Sequence, residues 1–186
     1  MQSIRFVVCL IVFLPAFLCS GLSFAQRWSF TSGKVSFSIR NAGMKVEGSF
    51  SGLKAMVDFP ESQPETARIQ GSVEVSGIQT GIGMRDRHLK GKDYFDAAAF
   101  PHISMNLQKL EKSGNQLSGL FLLRMKGTTK EFRLPVQFNK KSPKVSSMET
   151  SFTLNRLDFG IGSSSWTLGD EVAVRVVFEL QHSGEH

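Results

Sequence analysis

Cysteine is nearly absent from this chain. The 186 residues hold two, Cys9 and Cys19, both close to the start. Downstream of them there is no thiol, no disulfide and no cysteine ligand for a metal, so the rest of the chain relies on a core of its own. Tyr and Trp are also scarce, with Tyr94, Trp28 and Trp166 the whole supply. That argues against an outer-membrane barrel, which needs aromatic girdles at both interfaces. The longest apolar run, Phe6 to Leu18, has 13 residues and no stop-transfer charges after it, too short for a membrane span. No run of five like charges exists, although the formal net charge is +6, so no basic arm is present to grip nucleic acid.

The apolar run reads instead as a secretory leader. Arg5 supplies its positive start, and Ser23-Phe24-Ala25 offers small residues for cleavage. Residues 1–25 are therefore expected to be a signal peptide and 26–186 a single exported domain of the periplasm, large enough for a sizeable core. Leu18 rather than a small residue precedes Cys19, so a lipoprotein anchor is set aside. For an exported basic protein an anionic membrane surface is a better transient partner than nucleic acid. The sequence leaves the oligomeric state open, a homodimer among the options.

What the chain has in abundance is alternation. Val35, Phe37 and Ile39 alternate with Lys34, Ser36, Ser38 and Arg40. Leu53, Ala55, Val57 and Phe59 share one parity, as do Ile69, Val73 and Val75. Phe132 to Phe138 and Val172 to Leu180 repeat the pattern. A period of two recurring this often specifies half-buried antiparallel strands. Turn signals at Asn41-Ala-Gly43, Ser113-Gly-Asn115 and Lys126-Gly127 make the connections short, which predicts a barrel or a sandwich. Only Gly81 to Asp96 breaks the rhythm, where a short helix and a loop fit better.

Twelve of the 16 phenylalanines lie beyond residue 25, mostly on the apolar parity. An eight-stranded barrel can fill its bore with such side chains or leave room for a ligand. A lipid of about 30 heavy atoms gaining roughly 0.3 kcal/mol per atom would bind at sub-micromolar level without a strong polar contact. A filled barrel would instead suit a protein-binding or inhibitor module acting through an exposed loop.

Catalytic and metal chemistry finds little support. Asp86-x-His88 offers two ligands where a metal site needs three or four. Ser163-Ser-Ser165 has no strand-to-helix elbow, and Gly81-Ile-Gly83 lacks the third glycine of a phosphate loop. Arg85, Asp86 and His88 are expected to form a polar cluster that pins the irregular segment to the barrel. An isomerising or lipid-modifying enzyme using His88 is the remaining alternative.

Several segments taken together resemble a known family. Arg85-Asp-Arg-His-Leu89, Asp93-Tyr-Phe-Asp96 and Phe100-Pro-His-Ile-Ser104 are similar in order and spacing to the signature of the YceI-like proteins, as are Val46-Glu-Gly-Ser-Phe50 upstream and Asn155-Arg-Leu-Asp-Phe-Gly160 downstream. The resemblance implies an all-β, extended eight-stranded antiparallel lipocalin-like barrel with one short helix near 83–90. It also implies a long apolar tunnel for a polyisoprenoid, a quinone tail or another long-chain lipid, carried, stored or scavenged without catalysis and without a cofactor. Two positions depart from the pattern, Asn41 where many members carry histidine and Met105 where an aromatic is frequent. Parity assigns the lining to Phe37, Ile39, Phe50, Val57, Phe59, Val73, Val75, Ile103, Met105, Leu120, Leu122, Phe152 and Val176. Tyr94 and Phe95 are expected to close one end.

Overall fold

In the computed structural model, which describes residues 27–182, the alternating segments become ten antiparallel strands of one sheet. In chain order these are β1 (Arg27–Asn41), β2 (Met44–Phe50), β3 (Lys54–Pro60), β4 (Arg68–Glu74) and β5 (Ile78–Gln79), then the helix α1 (Gly83–Leu89). β6 (His102–Ser113), β7 (Gln116–Met125), β8 (Thr128–Lys140), β9 (Val145–Asn155) and β10 (Leu168–His182) follow. The expected leader and its cleavage site lie outside the described residues.

Four of the ten are halves of interrupted strands. β2 and β3 run along the same edge of β1, with Val35–Asn41 opposite Met44–Phe50 and Arg27–Ser29 opposite Asp58–Pro60. β4 and β5 follow them in the same way, β4 paired with β3 and β5 with β2, around a 3-10 turn at Val75–Gly77. Counted so, eight strands remain, and the long ladder between β1 and β10 closes them into a barrel. The β1–β10 ladder pairs what would otherwise be the free edges of the first and last strands. The hairpins are tight for a local reason. Ala42-Gly43 and Lys126-Gly127 both hold positive φ at their two central positions, the backbone twist that suits right-handed strands.

Within each strand the apolar parity points inward and the charged parity outward. The outer wall carries ion pairs such as Arg133–Glu111 at 2.7 Å, Lys109–Glu111 at 2.7 Å and the two-pronged Arg175–Glu149 contact. Among the described residues no helix is long and apolar enough to cross a membrane.

The wall is not uniform from end to end. At the end holding the β1–β2 turn, β5 has no ladder to β6 among the described residues. α1 and the loop to Pro101 occupy that gap, held by a Val75 N–H to Pro101 carbonyl bond of 2.9 Å. β8 and β9 pair only over Gln137–Lys140 and Ser146–Glu149. The ladder stops at Pro135, which has no N–H to donate, and the Thr150 hydroxyl donates to the Pro135 carbonyl at 2.8 Å. Beyond that point the seam is covered by side chains, Phe132 against Phe152 at 5.5 Å and Lys130 paired with Asp158 at 2.8 Å.

Candidate functional site

The two halves of the bore differ. Toward the β3–β4 loop the interior is packed: Trp28, Phe59, Leu110 and Leu180 are each about 1% exposed. Phe138 stands between Phe59 at 4.8 Å and Trp28 at 5.6 Å, ring against ring across the bore. Toward the β1–β2 turn the bore opens into a cavity of about 200 Å³. That is an order of magnitude beyond the ~10–15 Å³ that one water needs. Its floor is formed by Ile69, Val136, Met148 and Phe178, where the packed half begins.

Each wall comes from the inward parity of a strand. β1 and β10 contribute Val35, Phe37, Ile39, Val172, Val174 and Val176, which face one another in register. β2 adds Val46 and Phe50, and β9 adds Phe152 and Leu154. The Phe37 ring folds flat over its cross-strand partner Gly48. A side chain at 48 would push that ring into the cavity, so glycine there keeps the bore open. α1 and the following loop form a lid, with Leu89, Tyr94 and Phe95 over the cavity and Phe95 edge-on to Phe50 at 5.8 Å.

A small polar set stands at the mouth. Thr80 is the hub: its N–H donates to the Asp86 carboxylate at 2.9 Å, and its hydroxyl donates to the same oxygen while accepting from Arg85 Nε at 2.7 Å. Arg85 Nη2 also donates to the Thr80 carbonyl at 2.6 Å. Arg156, 3% exposed, does comparable work for the loop after β9. It donates to the carbonyls of Ile161 at 2.8 Å and Gly169 at 2.9 Å and pairs with Asp170 at 2.7 Å. That loop turns back through left-handed glycines at 160 and 162, which delivers Ile161 to the cavity.

Of the residues assigned to the lining from parity, Phe37, Ile39, Phe50, Val73, Ile103, Met105, Phe152 and Val176 border the cavity, as do Tyr94 and Phe95. Val57 and Phe59 face inward but belong to the packed half. Val75 is buried at the 3-10 turn among Val73, Ile103 and Phe159, away from the cavity surface. Leu120 and Leu122 face outward. Both parities of β7 are apolar, so hydrophobicity did not choose between them; register does, since Leu120 pairs with Arg133 and Lys109, and Leu122 with Glu131 and Asn106. Their neighbours Phe121 and Leu123 take the inward places.

The expected polar cluster also divides. Arg85 and Asp86 meet through Thr80 rather than with each other, and His88 is exposed, its ring 4.9 Å from that of Tyr94. Thr80, on the segment before the helix, gathers Arg85 and Asp86 from its first turn, while His88 in its last turn lies beside the loop that follows. Asn41, Thr80 and Arg156 border the cavity without having been singled out as site residues. A family-like turn around Asn155 to Gly160 was the one sign pointing to Arg156.

Comparison with known proteins agrees with this architecture. The family model described as the YceI-like domain matches residues 29–180. A UPF0312 protein of Yersinia pestis is 26% identical over 101 residues, 54% of this chain and 53% of its own length. The chain thus spans about half the length of that relative. A UPF0312 protein of Pseudomonas savastanoi is 25% identical over 149 residues, 75% of this chain and 78% of its own. Among solved structures, Burkholderia cenocepacia BcnA superposes with a TM-score of 0.74 at 22% identity, covering 79% of this chain and 95% of its own. A polyisoprenoid binding domain from Saccharophagus degradans superposes at 0.66 and 12% identity, over 85% and 98% of the two chains. These structural likenesses concern the fold, and the family model spans nearly all of the closed barrel: the chain belongs to the YceI-like domain family.

Proposed function

We propose that this chain is a non-catalytic binding protein for a long apolar lipid, an isoprenoid or quinone-like chain, exported to the periplasm for carriage, storage or scavenging. The observation that carries the reading is the cavity itself. It is a hydrocarbon-lined space with a packed floor and a lid, in which water would find few partners. An alkyl or prenyl chain needs no polar contact there, and its affinity grows with buried apolar surface. Asn41, Thr80 and Arg85 stand at the mouth, and the Thr150 hydroxyl deeper in the bore is already committed to the Pro135 carbonyl, which suits a ligand with a long tail and a small head. The polyisoprenoid binding domain of Saccharophagus degradans, built on the same fold, supports the same class of ligand. No cofactor enters this reading.

Mass spectrometry of an organic extract tests it, with the protein expressed with its leader and purified without detergent. A single long-chain species at close to one per barrel is expected. Extracts free of any such species, together with no uptake of added prenyl alcohols, would overturn the proposal.

A further inference from the structure

Six large hydrophobic side chains stand well exposed among the described residues: Met44, Met56, Ile82, Met84, Val145 and Trp166. Four of the six, Met44, Ile82, Met84 and Trp166, belong to segments around the cavity mouth. Met44 lies one inward step beyond the cavity-lining Val46, on the strand that leaves the Ala42-Gly43 turn. Trp166, fully exposed, is tied to that turn through the Ala42 N–H to Thr167 carbonyl bond of 2.7 Å. Ile82 and Met84 start the lid helix, beside Thr80 and Arg85 at the mouth. Exposed apolar side chains gathered on the segments at one end of a barrel mark a contact site.

The charges around them point to one kind of partner. From Thr80 to Lys92 the chain carries Arg85, Arg87, Lys90 and Lys92 against a single acid, Asp86, which Thr80 already engages. Among the described residues no carboxylate is in an ion pair with Arg40, Arg87, Lys90 or Lys92; of the acids on the neighbouring segments Asp158 and Asp170 are paired with Lys130 and Arg156, and Asp93, Asp96 and Glu171 are in no ion pair. At the packed end Arg27, Lys140 and Lys141 are paired with Asp58, Glu61 and Glu179 at 2.8 Å, while Arg68, Lys112 and Lys144 are in no ion pair among the described residues, so it is the exposed apolar rim beside the cations that sets the mouth apart. An apolar rim ringed by unpaired cations matches an anionic bilayer surface. Trp and Met enter its interfacial layer and Lys and Arg meet lipid phosphates.

We infer that the mouth is a membrane-docking face, on which Met44, Ile82, Met84 and Trp166 dip into an anionic leaflet and present the cavity directly to the lipid. This rests on the proposed lipid-binding role and adds the route: an apolar chain passes between leaflet and barrel without crossing water.

Vesicle binding tests it, using the chain from Gln26 onward, which keeps every strand of the closed ring and both packed clusters. Vesicles of phosphatidylethanolamine with phosphatidylglycerol are expected to bind it and to shift Trp166 emission to the blue. Acyl chains brominated near the glycerol should quench Trp166, while Trp28, buried at the opposite end, stays unquenched as an internal reference. The double substitution Ile82→Ser with Met84→Ser removes exposed side chains only, and should weaken vesicle binding roughly tenfold or more. Uptake of a dansyl-labelled farnesyl probe from solution should stay unchanged. Absence of vesicle binding, or binding indifferent to the rim substitutions, overturns the docking face even if the probe enters. Docking with no probe uptake by any variant upholds the face and overturns the cavity reading instead.

Discussion

Phenylalanine serves two purposes in this barrel, and the contrast between its ends shows what makes a cavity. At the packed end Phe59 and Phe138 meet Trp28 across the bore, and the rings touch one another. At the hollow end Phe37 lies over Gly48 along its own wall, and Phe50 leans between Phe37 at 5.5 Å and Phe95 of the lid. The count of aromatics is similar in both. What differs is whether the neighbouring strand carries valine, as at Val172, Val174 and Val176 beside β1, or the far wall carries a ring that reaches across, as Phe138 does. Stability is thereby concentrated in one half and capacity in the other.

The largest effect that would sharpen this division is Phe59→Ala. Truncating a ring buried to 1% exposure should cost about 3–5 kcal/mol by urea unfolding, while lipid occupancy persists under native conditions. Loss of ligand in the folded variant would mean the halves are not independent. Next comes Asp86→Ala, which strips Thr80 of the acceptor for its N–H and hydroxyl. A loss of about 1–3 kcal/mol is expected, again with ligand retained, because the carboxylate holds the lid helix rather than the lipid. Selective loss of ligand from a still-stable Asp86→Ala protein would assign that residue to the binding site. Val174→Trp should do the reverse. The cavity absorbs the added bulk, so lipid-free stability changes by about 1 kcal/mol or less, yet extracts should contain no lipid. A strongly destabilised Val174→Trp would show the hollow half to be as tightly packed as the other.

The sequence read the barrel well and the division of its bore poorly, for physical reasons. Strand parity follows from alternation, and it holds wherever one face is charged, as in β1, β8 and β10. It fails in β7, where Leu120 and Leu122 are apolar on the outer wall and only the register with Arg133 and Glu131 resolves the face. Parity also cannot tell height along the bore, so Val57 and Phe59 read as lining when they are packing. Arg156 was legible as part of a turn but not as a buried clamp, since its partners are backbone carbonyls 5 to 13 residues on and the Asp170 carboxylate beyond them. Trp166 drew notice only as a scarce aromatic, because exposure is a property of the folded loop.

The smallest effect concerns the outer wall at the level where the two halves meet. Glu149 ends the short β8–β9 ladder, next to the split at Pro135, and its carboxylate takes two hydrogen bonds from Arg175 on β10. Those bonds, with the charge of Arg175 behind them, hold the Glu149 carboxyl below the ordinary glutamate value. A carboxyl with a depressed folded value stabilises the protein above its unfolded value and loses that contribution as pH falls through the folded one. Arg175→Gln should therefore melt below the parent near pH 7, and the gap should close as pH falls through and below the ordinary glutamate value. Most of the difference should fall on the amides of 150–155, the part of β9 with no ladder to β8, in hydrogen exchange. A gap that is constant with pH would trace the effect to packing of the arginine stem. One that spreads evenly over both halves would mean the seam at Pro135 is no boundary for local opening.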